Sequence, residues 1–296
     1  MNAGRVVRSV GGYHDVLCGG RTYTCTARGR LKRAGGEILV GDLVGWTMDG
    51  EAGVIERIEP RRNVLRRPLV ANVDQAVLVF ALREPDPNTL TIDRFLVAVK
   101  AAGLPVLLCL NKKDLVRPAQ ALALAEYYRS LGQPAVVTST VTREGRNKLL
   151  AALHGRTTVL CGPSGAGKSA LLNMVGPGYG LATGEVSARI GRGRHTTRAA
   201  RLLPVGRGGF VVDTPGFTRI DFADLTLEGL RACFPELAAH AAGCKYDGCL
   251  HLAEPGCAVK AAVAEGLVPG LRYDHYRAFA AELDQKGPDY RRKGGR

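Results

Sequence analysis

Residues 162–169, with the sequence GPSGAGKS, have the composition and spacing of a phosphate-binding loop. The apolar run TTVLC precedes them and a helix-like run follows them. Glycines let backbone N–H groups converge on an anion, and the start of a helix favours negative charge. We expect Lys168 to reach the β- and γ-phosphates of a nucleotide and Ser169 to ligate Mg²⁺. The candidate contacts in this loop are Gly162, Pro163, Ser164, Gly165, Ala166, Gly167, Lys168, Ser169 and Ala170.

A second candidate element, DTPG at 213–216, follows the apolar run GFVV. An aspartate at the end of a strand is well placed to hold Mg²⁺, usually through water, and the N–H of Gly216 can sense a γ-phosphate. Asp-x-x-Gly alone also describes many turns. Its position after a strand and beyond the phosphate loop makes Asp213 our candidate magnesium ligand.

A third element, NKKD at 111–114, ends the apolar run LPVLLCL and can read a guanine base. The carboxylate of Asp114 can accept two N–H donors from guanine, a pair that adenine does not offer, so this motif favours GTP over ATP. We expect Asn111 to tie the site to neighbouring loops, and the stem of Lys112 to lie along the base. In the run TST at 138–140, a backbone N–H of Ser139 could reach the guanine oxygen. In an ordinary GTPase such a motif follows the phosphate loop, whereas here it precedes it.

The arginine- and glycine-rich segment 189–203 lies between the phosphate loop and DTPG. A threonine in such a loop normally completes the Mg²⁺ shell and orders the loop around the γ-phosphate, and we favour Thr197 over Thr196. Many GTPases place a glutamine after Asp-x-x-Gly to orient the attacking water, but here that position is Phe217. We therefore name His195, with Lys168 and Thr197, as a candidate catalytic residue; a surface histidine in a basic loop is the alternative.

Three cysteines and one histidine lie within a short segment and could bind a metal ion: Cys244, Cys249, His251 and Cys257. Three thiolates with one imidazole suit tetrahedral Zn²⁺, and four protein ligands make a closed, structural site. Free thiols on a loop are the alternative. His240 lies outside this compact run and is a weaker candidate. We expect one zinc ion to stabilise a small domain with little core of its own.

The pattern along the chain predicts a multidomain protein. Short alternating runs with glycine turns over 1–65 predict a β-barrel of the oligonucleotide-binding (OB) type, with an SH3-like barrel as the alternative. Apolar strands alternate with helices over 70–222, which predicts an α/β P-loop GTPase domain with a parallel sheet covered on both faces. Helical patterns over 223–296 predict a mainly helical zinc-binding domain with a basic tail.

The chain of 296 residues carries a formal net charge of +14, which favours a polyanionic partner such as RNA. No apolar run is long enough to span a membrane, and the N-terminal residues lack a signal sequence, so we expect a cytoplasmic protein without a membrane partner. We expect the other five of its eight cysteines to be reduced thiols.

With these motifs the chain resembles the ribosome small subunit-dependent GTPase A family, which are bacterial GTPases with circularly permuted motif order. The resemblance rests on RGRLKR, GDLVGW, NKKD, GPSGAGKS, GRHTT, DTPGF and the Cys-Cys-His-Cys cluster, which follow that family's order. It implies a cytoplasmic factor in late maturation of the 30S ribosomal subunit that hydrolyses GTP to GDP faster on that subunit and then leaves. It also implies zinc ligation by Cys244, Cys249, His251 and Cys257, and a catalytic role for His195. We expect a monomer that contacts 16S rRNA.

Two other functions fit parts of the sequence. The chain could be an RNA-binding module in which nucleotide only regulates affinity, and stimulation of hydrolysis by the 30S subunit but not by bulk RNA would separate the two. A P-loop kinase is the third class; NKKD and DTPG argue against it.

Overall fold

The computed structural model describes residues 1–29, 31, 37–50, 52–66, 68–176, 179, 200–213, 222 and 225–286. Five strands over its first part close into a barrel: β1 (Asn2–Val10), β2 (Tyr13–Cys18), β3 (Arg21–Ala27), β4 (Leu43–Asp49) and β5 (Ala52–Ile58). They are ordered β1-β2-β3-β5-β4, and β4 pairs back with β1. This closed five-stranded barrel confirms the OB-type expectation.

Alternation of apolar and polar residues along the barrel strands places one face of each strand inside. The barrel core contains Val6, Val16, Cys25, Ile38, Val44, Trp46 and Ile55. The basic connector that follows forms a small hairpin, β6 (Val64–Arg66) and β7 (Leu69–Ala71), which the sequence pattern did not indicate.

The next strands form a sheet ordered β10-β9-β8-β11-β13-β12. The strands are β8 (Gln75–Ala81), β9 (Val106–Asn111), β10 (Ala135–Val137), β11 (Thr157–Cys161), β12 (Arg201–Val205) and β13 (Gly209–Asp213). All the pairings are parallel except that of β12 with β13. The five strands that the sequence predicted are therefore parallel, as expected. The prediction missed β12, because residues 201–203, which we assigned to a loop, begin an antiparallel strand.

Four helices cover the two faces of this sheet: α1 (Thr89–Ala101), α2 (Pro118–Ser130), α3 (Arg146–Leu153) and α4 (Lys168–Val175). The residues of β8 divide between the faces, since Leu78 and Phe80 join the core under α1 and α2, whereas Val77 and Val79 join the core under α3 and α4. Burial on both faces explains why the strands are continuously apolar in sequence.

The other α-helices in the described part of the chain are α5 (Leu227–Ala232), α6 (Pro235–Ala241), α7 (Ala258–Ala264) and α8 (Gly270–Lys286). Within the segment 223–296, for which the sequence predicted helices, Pro235 begins a helix at its first position, because a proline there loses no helical hydrogen bond. None of the helices in the described ranges is long and apolar enough to cross a membrane.

The barrel and the helical region attach to the nucleotide-binding sheet in different ways. Strand β1 pairs with β12 at Arg8 and Arg201, and Arg5 on β1 donates to the Thr157 hydroxyl at 2.5 Å while lying over the ring of Phe210. These contacts join the two sheets edge to edge.

The helical region attaches to α1 through buried charges. Arg272 on α8 is 2% exposed and forms ion pairs with Asp93 of α1 and Glu236 of α6. The other Asp93 oxygen contacts His275 of α8, and Tyr128 of α2 donates to Asp93 at 3.0 Å. Buried charges need such partners, since removing one partner leaves the others unpaired in a poorly solvated place.

We expect Arg272→Ala to lower the free energy of unfolding by about 3–5 kcal/mol, because it removes the buried cation that Asp93 and Glu236 share. Denaturant titration followed by circular dichroism would measure this loss. Arg277→Ala is the matched control, because Arg277 is exposed on the same helix and lies outside the network. Equal stability of the two variants would show that the buried network does not hold the helical region in place.

Candidate functional site

The phosphate loop turns from the end of β11 into α4 and needs its glycines for steric reasons. Gly162 has φ 139°, and a Cβ there would lie 2.1 Å from the carbonyl oxygen of Val79. Gly167 has φ 92°, and a Cβ there would lie 2.3 Å from the side-chain nitrogen of Asn111. Any other residue would push the loop away from the neighbouring strand ends, so the backbone can form this turn only with glycine.

Lys168 is the first residue of α4, and its ammonium group lies inside the loop. Its Nζ donates to the carbonyl oxygens of Gly162 at 2.8 Å and Pro163 at 2.7 Å. Burial lowers the pKa of Lys168 from its ordinary value. The first N–H groups of a helix have no partner within that helix, so Ser169 and Ala170 present donors to the same space. The arrangement suits an anion that replaces the carbonyl contacts of the lysine.

The NKKD segment begins at the end of β9 and contacts the phosphate loop directly. Asn111 is fully buried; its side-chain nitrogen donates to Ala166 O at 3.0 Å, and its side-chain oxygen accepts from the Thr138 hydroxyl at 3.1 Å. Lys112 has a left-handed backbone (φ 63°), and its ammonium donates to the carbonyl oxygen of Glu84. The sequence indicated that Asn111 joins loops, and the structure shows Ala166 and Thr138 as its partners.

Asp114 and Ser139 lie together at this end of the sheet. The Ser139 hydroxyl donates to Asp114 Oδ1 at 2.5 Å, and the backbone N–H of Ser139 donates to Glu144 O at 3.1 Å. The hydroxyl of Ser139 thus orients the Asp114 carboxylate. Contact of a backbone N–H of the run TST (138–140) with the guanine oxygen stays a prediction.

Asp213 is the last residue of β13, and its carboxylate lies at the same edge of the sheet as the phosphate loop, since β13 pairs in parallel with β11. Its Oδ2 accepts a hydrogen bond from Arg201 Nε at 2.9 Å. The sequence analysis did not identify Arg201 as a partner of Asp213. A hairpin centred on the turn between β12 and β13 would have placed the two residues opposite each other. The candidate residues His195, Thr197 and Gly216, and also Thr196 and Phe217, lie outside the described residues.

The four candidate metal ligands come together between α6 and α7. Their ligand atoms all lie within 4.8 Å of one another. Cys244 Sγ and Cys257 Sγ are 3.9 Å apart, and they lie 3.5 Å and 3.4 Å from His251 Nδ1. A tetrahedral ion with metal–sulfur bonds of about 2.3 Å separates two sulfurs by about 3.8 Å, so the cluster fits one such ion. His240 is not part of it.

The surrounding residues support this cluster from several sides. Burial would raise the pKa of the Cys244 thiol, but backbone N–H groups of Val259 and Ala258 at the start of α7 bring it below its ordinary value. Tyr273 of α8 donates to His251 O at 2.7 Å, and Glu254 accepts from the N–H groups of Leu250 and Leu252. By contrast, burial raises the pKa of the Cys249 thiol to about 11, so this ligand would lose its proton only on binding a cation. The four ligand atoms are already close enough together to hold one ion.

The phosphate loop, the Asp114 carboxylate and the strand-end Asp213 together have the arrangement of a P-loop GTPase, in which the NKKD segment precedes the phosphate loop in the chain. Residues 58–223 match the family model described as RsgA GTPase, and residues 3–55 match the model of the RsgA N-terminal domain. The chain belongs to the RsgA GTPase family and is a GTP hydrolase.

Curated relatives and solved structures agree with this assignment. A protein of Moorella thermoacetica named small ribosomal subunit biogenesis GTPase RsgA is 46% identical over 95% of this chain and 97% of its own length. The Geobacillus thermodenitrificans protein of the same name is 43% identical over 98% of this chain and its own full length.

The crystal structure of YloQ, a circularly permuted GTPase, is also similar, with a TM-score of 0.83, 35% identity and coverage of 98% of this chain and 97% of that chain. YjeQ from Thermotoga maritima has a TM-score of 0.82 at 35% identity, covering 95% of this chain and 98% of that chain.

We expect Asp114→Ala to weaken GDP binding about 10- to 150-fold, because it removes a charged acceptor for guanine N–H groups. Isothermal titration calorimetry with GDP measures the change. Lys113→Ala serves as the control, since Lys113 pairs with Glu144 in the same turn. An undiminished affinity in Asp114→Ala would contradict base reading at this position.

Proposed function

We propose that this chain is a GTPase of small-subunit maturation whose hydrolysis of GTP is stimulated by the 30S ribosomal subunit. One observation carries the GTP half: Lys168, the Asn111–Asp114 segment and Asp213 meet at one edge of one sheet. The names of the curated relatives support the ribosomal half. We further propose that the protein acts as a cytoplasmic monomer.

Charge supports contact with 16S rRNA. The full sequence carries a net charge of +14. Several barrel arginines extend into solvent, including Arg8, Arg28 and Arg57 with side-chain exposures of 59%, 57% and 59%. Each of these guanidinium groups also lies beside a barrel carboxylate, so the net positive charge and their exposure together support phosphate contacts, which make binding steeply dependent on salt.

The chain divides, in this proposal, into a barrel (1–65), a nucleotide-binding domain (70–222) and a metal-binding helical domain (223–296). Lys168 and the loop N–H groups bind the β- and γ-phosphates, and Asp114 reads guanine. Ser169, Thr197 and Asp213 would hold Mg²⁺, which would neutralise developing charge on the phosphates. Hydrolysis is an in-line attack by water on the γ-phosphate. We assign the orientation of this water to His195. Lys168 acts mainly through charge stabilisation.

GTP turnover with purified 30S subunits tests the proposed function. We expect at least a tenfold rise in the hydrolysis rate with 30S subunits, and a smaller rise at high salt because phosphate contacts weaken. Equal amounts of 50S subunits and of bulk rRNA are the controls. An equal response to bulk rRNA would favour the nucleotide-regulated RNA-binding module instead. Lys168→Ala should remove the turnover in every case.

We also propose that the metal bound by Cys244, Cys249, His251 and Cys257 is one structural Zn²⁺. Elemental analysis should give about one equivalent of zinc, and Cys257→Ala should lose it and lower the melting temperature of the helical domain. Cys233→Ala is the matched control, because Cys233 is a buried thiol of the same core outside the cluster. Retention of full zinc by Cys257→Ala, or absence of zinc from the purified chain, would contradict the assignment.

A further inference from the structure

Four charged residues lie side by side across four neighbouring strands, from the proposed magnesium site into the barrel. The register pairs Asp213 on β13 with Arg201 on β12, and Arg201 with Arg8 on β1. Arg8 in turn pairs with Asp15 on β2. Directly paired residues place their side chains on the same face of a sheet. The order is therefore acid, base, base, acid, and we call these residues the charge row.

Each arginine of the charge row is neutralised by the carboxylate on its outer side. Arg201 Nε lies 2.9 Å from Asp213 Oδ2, and Arg8 Nη1 lies 3.7 Å from Asp15 Oδ2. The Thr24 hydroxyl on β3 donates to the other Asp15 oxygen at 3.1 Å and helps to fix that end. Both arginines thus have a partner while Asp213 is free to pair with Arg201.

The centre of the charge row is a like-charged pair at the joint between two domains. Arg8 and Arg201 are paired directly, an arrangement that is unfavourable when both charges are uncompensated. Among the residues that the structure describes, they are the one partnered pair between a barrel strand and a strand of the nucleotide-binding sheet. At this position the joint is therefore most favourable when each arginine keeps its own carboxylate, while the Arg5 contacts also hold the two sheets together.

We propose that the charge row couples magnesium binding at Asp213 to the joint between the barrel and the nucleotide-binding sheet. The inference rests on the proposed role of Asp213 as a magnesium ligand. With its carboxylate committed to Mg²⁺, Asp213 no longer neutralises Arg201, whose charge then faces Arg8. Repulsion between β12 and β1 rises and weakens the joint. Conversely, the ion pair with Arg201 opposes magnesium binding.

Thermodynamic linkage makes this coupling reciprocal. If magnesium binding raises the repulsion between Arg201 and Arg8, then removing the charge of Arg8 must make magnesium binding easier. Arg8 belongs to the barrel and is not among the candidate nucleotide contacts. A change in magnesium affinity in an Arg8 variant would therefore report the coupling itself.

The experiment measures how much Mg²⁺ the full-length chain needs to retain a fluorescent GDP analogue. We expect Arg201→Gln to lower the Mg²⁺ concentration for half-maximal GDP retention by roughly two- to five-fold. Arg8→Gln should lower it by roughly two-fold. Both effects are modest because exposed charge pairs are weak. Adding Arg8→Gln to Arg201→Gln should have no further effect, because the repulsion is already absent. The shifts should shrink at high salt.

Arg21→Gln is the matched control, because it removes one positive charge from the barrel, and Arg21 pairs with Cys18 outside the charge row. Its half-saturation should equal that of the unaltered chain. Amide hydrogen exchange over β1 should also rise when Mg²⁺ is added to the GDP complex, and Arg8→Gln should abolish that rise. Circular dichroism would confirm that the glutamine variants keep their fold.

The outcomes separate the inference from the proposed function. If Asp213→Asn raises the Mg²⁺ requirement but Arg8→Gln behaves like the unaltered chain, the coupling is overturned and the magnesium role of Asp213 stands. If Asp213→Asn leaves the Mg²⁺ requirement unchanged, that role fails, and the charge row fails with it. A change of equal size in Arg21→Gln would also overturn the inference, since the effect would then reflect net charge alone.

Discussion

The buried amide of Asn111 holds the two halves of the nucleotide site together. It bridges the loop after β9 to the phosphate loop after β11, through Ala166 on one side and Thr138 on the other. A buried amide of this kind is costly unless both of its ends are paired, so the contact fixes the distance between the two loops. The absence of a side chain at Gly167 is a condition of this contact, because a Cβ there would collide with the Asn111 nitrogen.

The order of the motifs along the chain can vary because the meeting of the two loops depends on which strands are neighbours in the sheet. The loops meet because β9, β8 and β11 are adjacent parallel strands whose carboxyl ends share one edge of the sheet. Circular permutation joins the original N- and C-termini and creates new termini elsewhere in the chain, and it leaves these neighbouring strands unchanged. Permutation changes where other domains are attached. Here the barrel is attached through strand β12, next to Asp213, and the helical region is attached through helix α1.

The sequence predicted those parts of the fold and site that depend on local chemistry. Glycine spacing indicated the phosphate loop, and the compact cysteine run indicated a metal cluster that the structure brings together. Asp114, shortly after β9, and Asp213, at the end of β13, were indicated by the apolar runs before them. The sequence prediction failed where partners are distant in the chain. Strand β12 reads as part of an arginine-rich loop, and only its pairing with β13 and β1 shows that it is a strand. Arg272 likewise looks like an ordinary basic residue of an amphipathic helix, because its acidic partners lie on α1 and α6.

The two domain attachments differ in the solvent exposure of their charged residues, and this exposure decides whether each attachment is rigid or responsive. The pairs of Arg272 are almost fully buried, so salt and solvent screen them little, and their rupture would leave charges without compensation. Such an attachment holds α8 and the metal-binding loop rigidly against α1. Arg201 and Arg8 are about half exposed, so their interactions are weak and respond to a single added charge. A joint near balance is the one that a bound cation can shift. Rigid attachment at α1 and a responsive one at β12 therefore allow the nucleotide site to change its relation to the barrel while keeping its relation to the helical region.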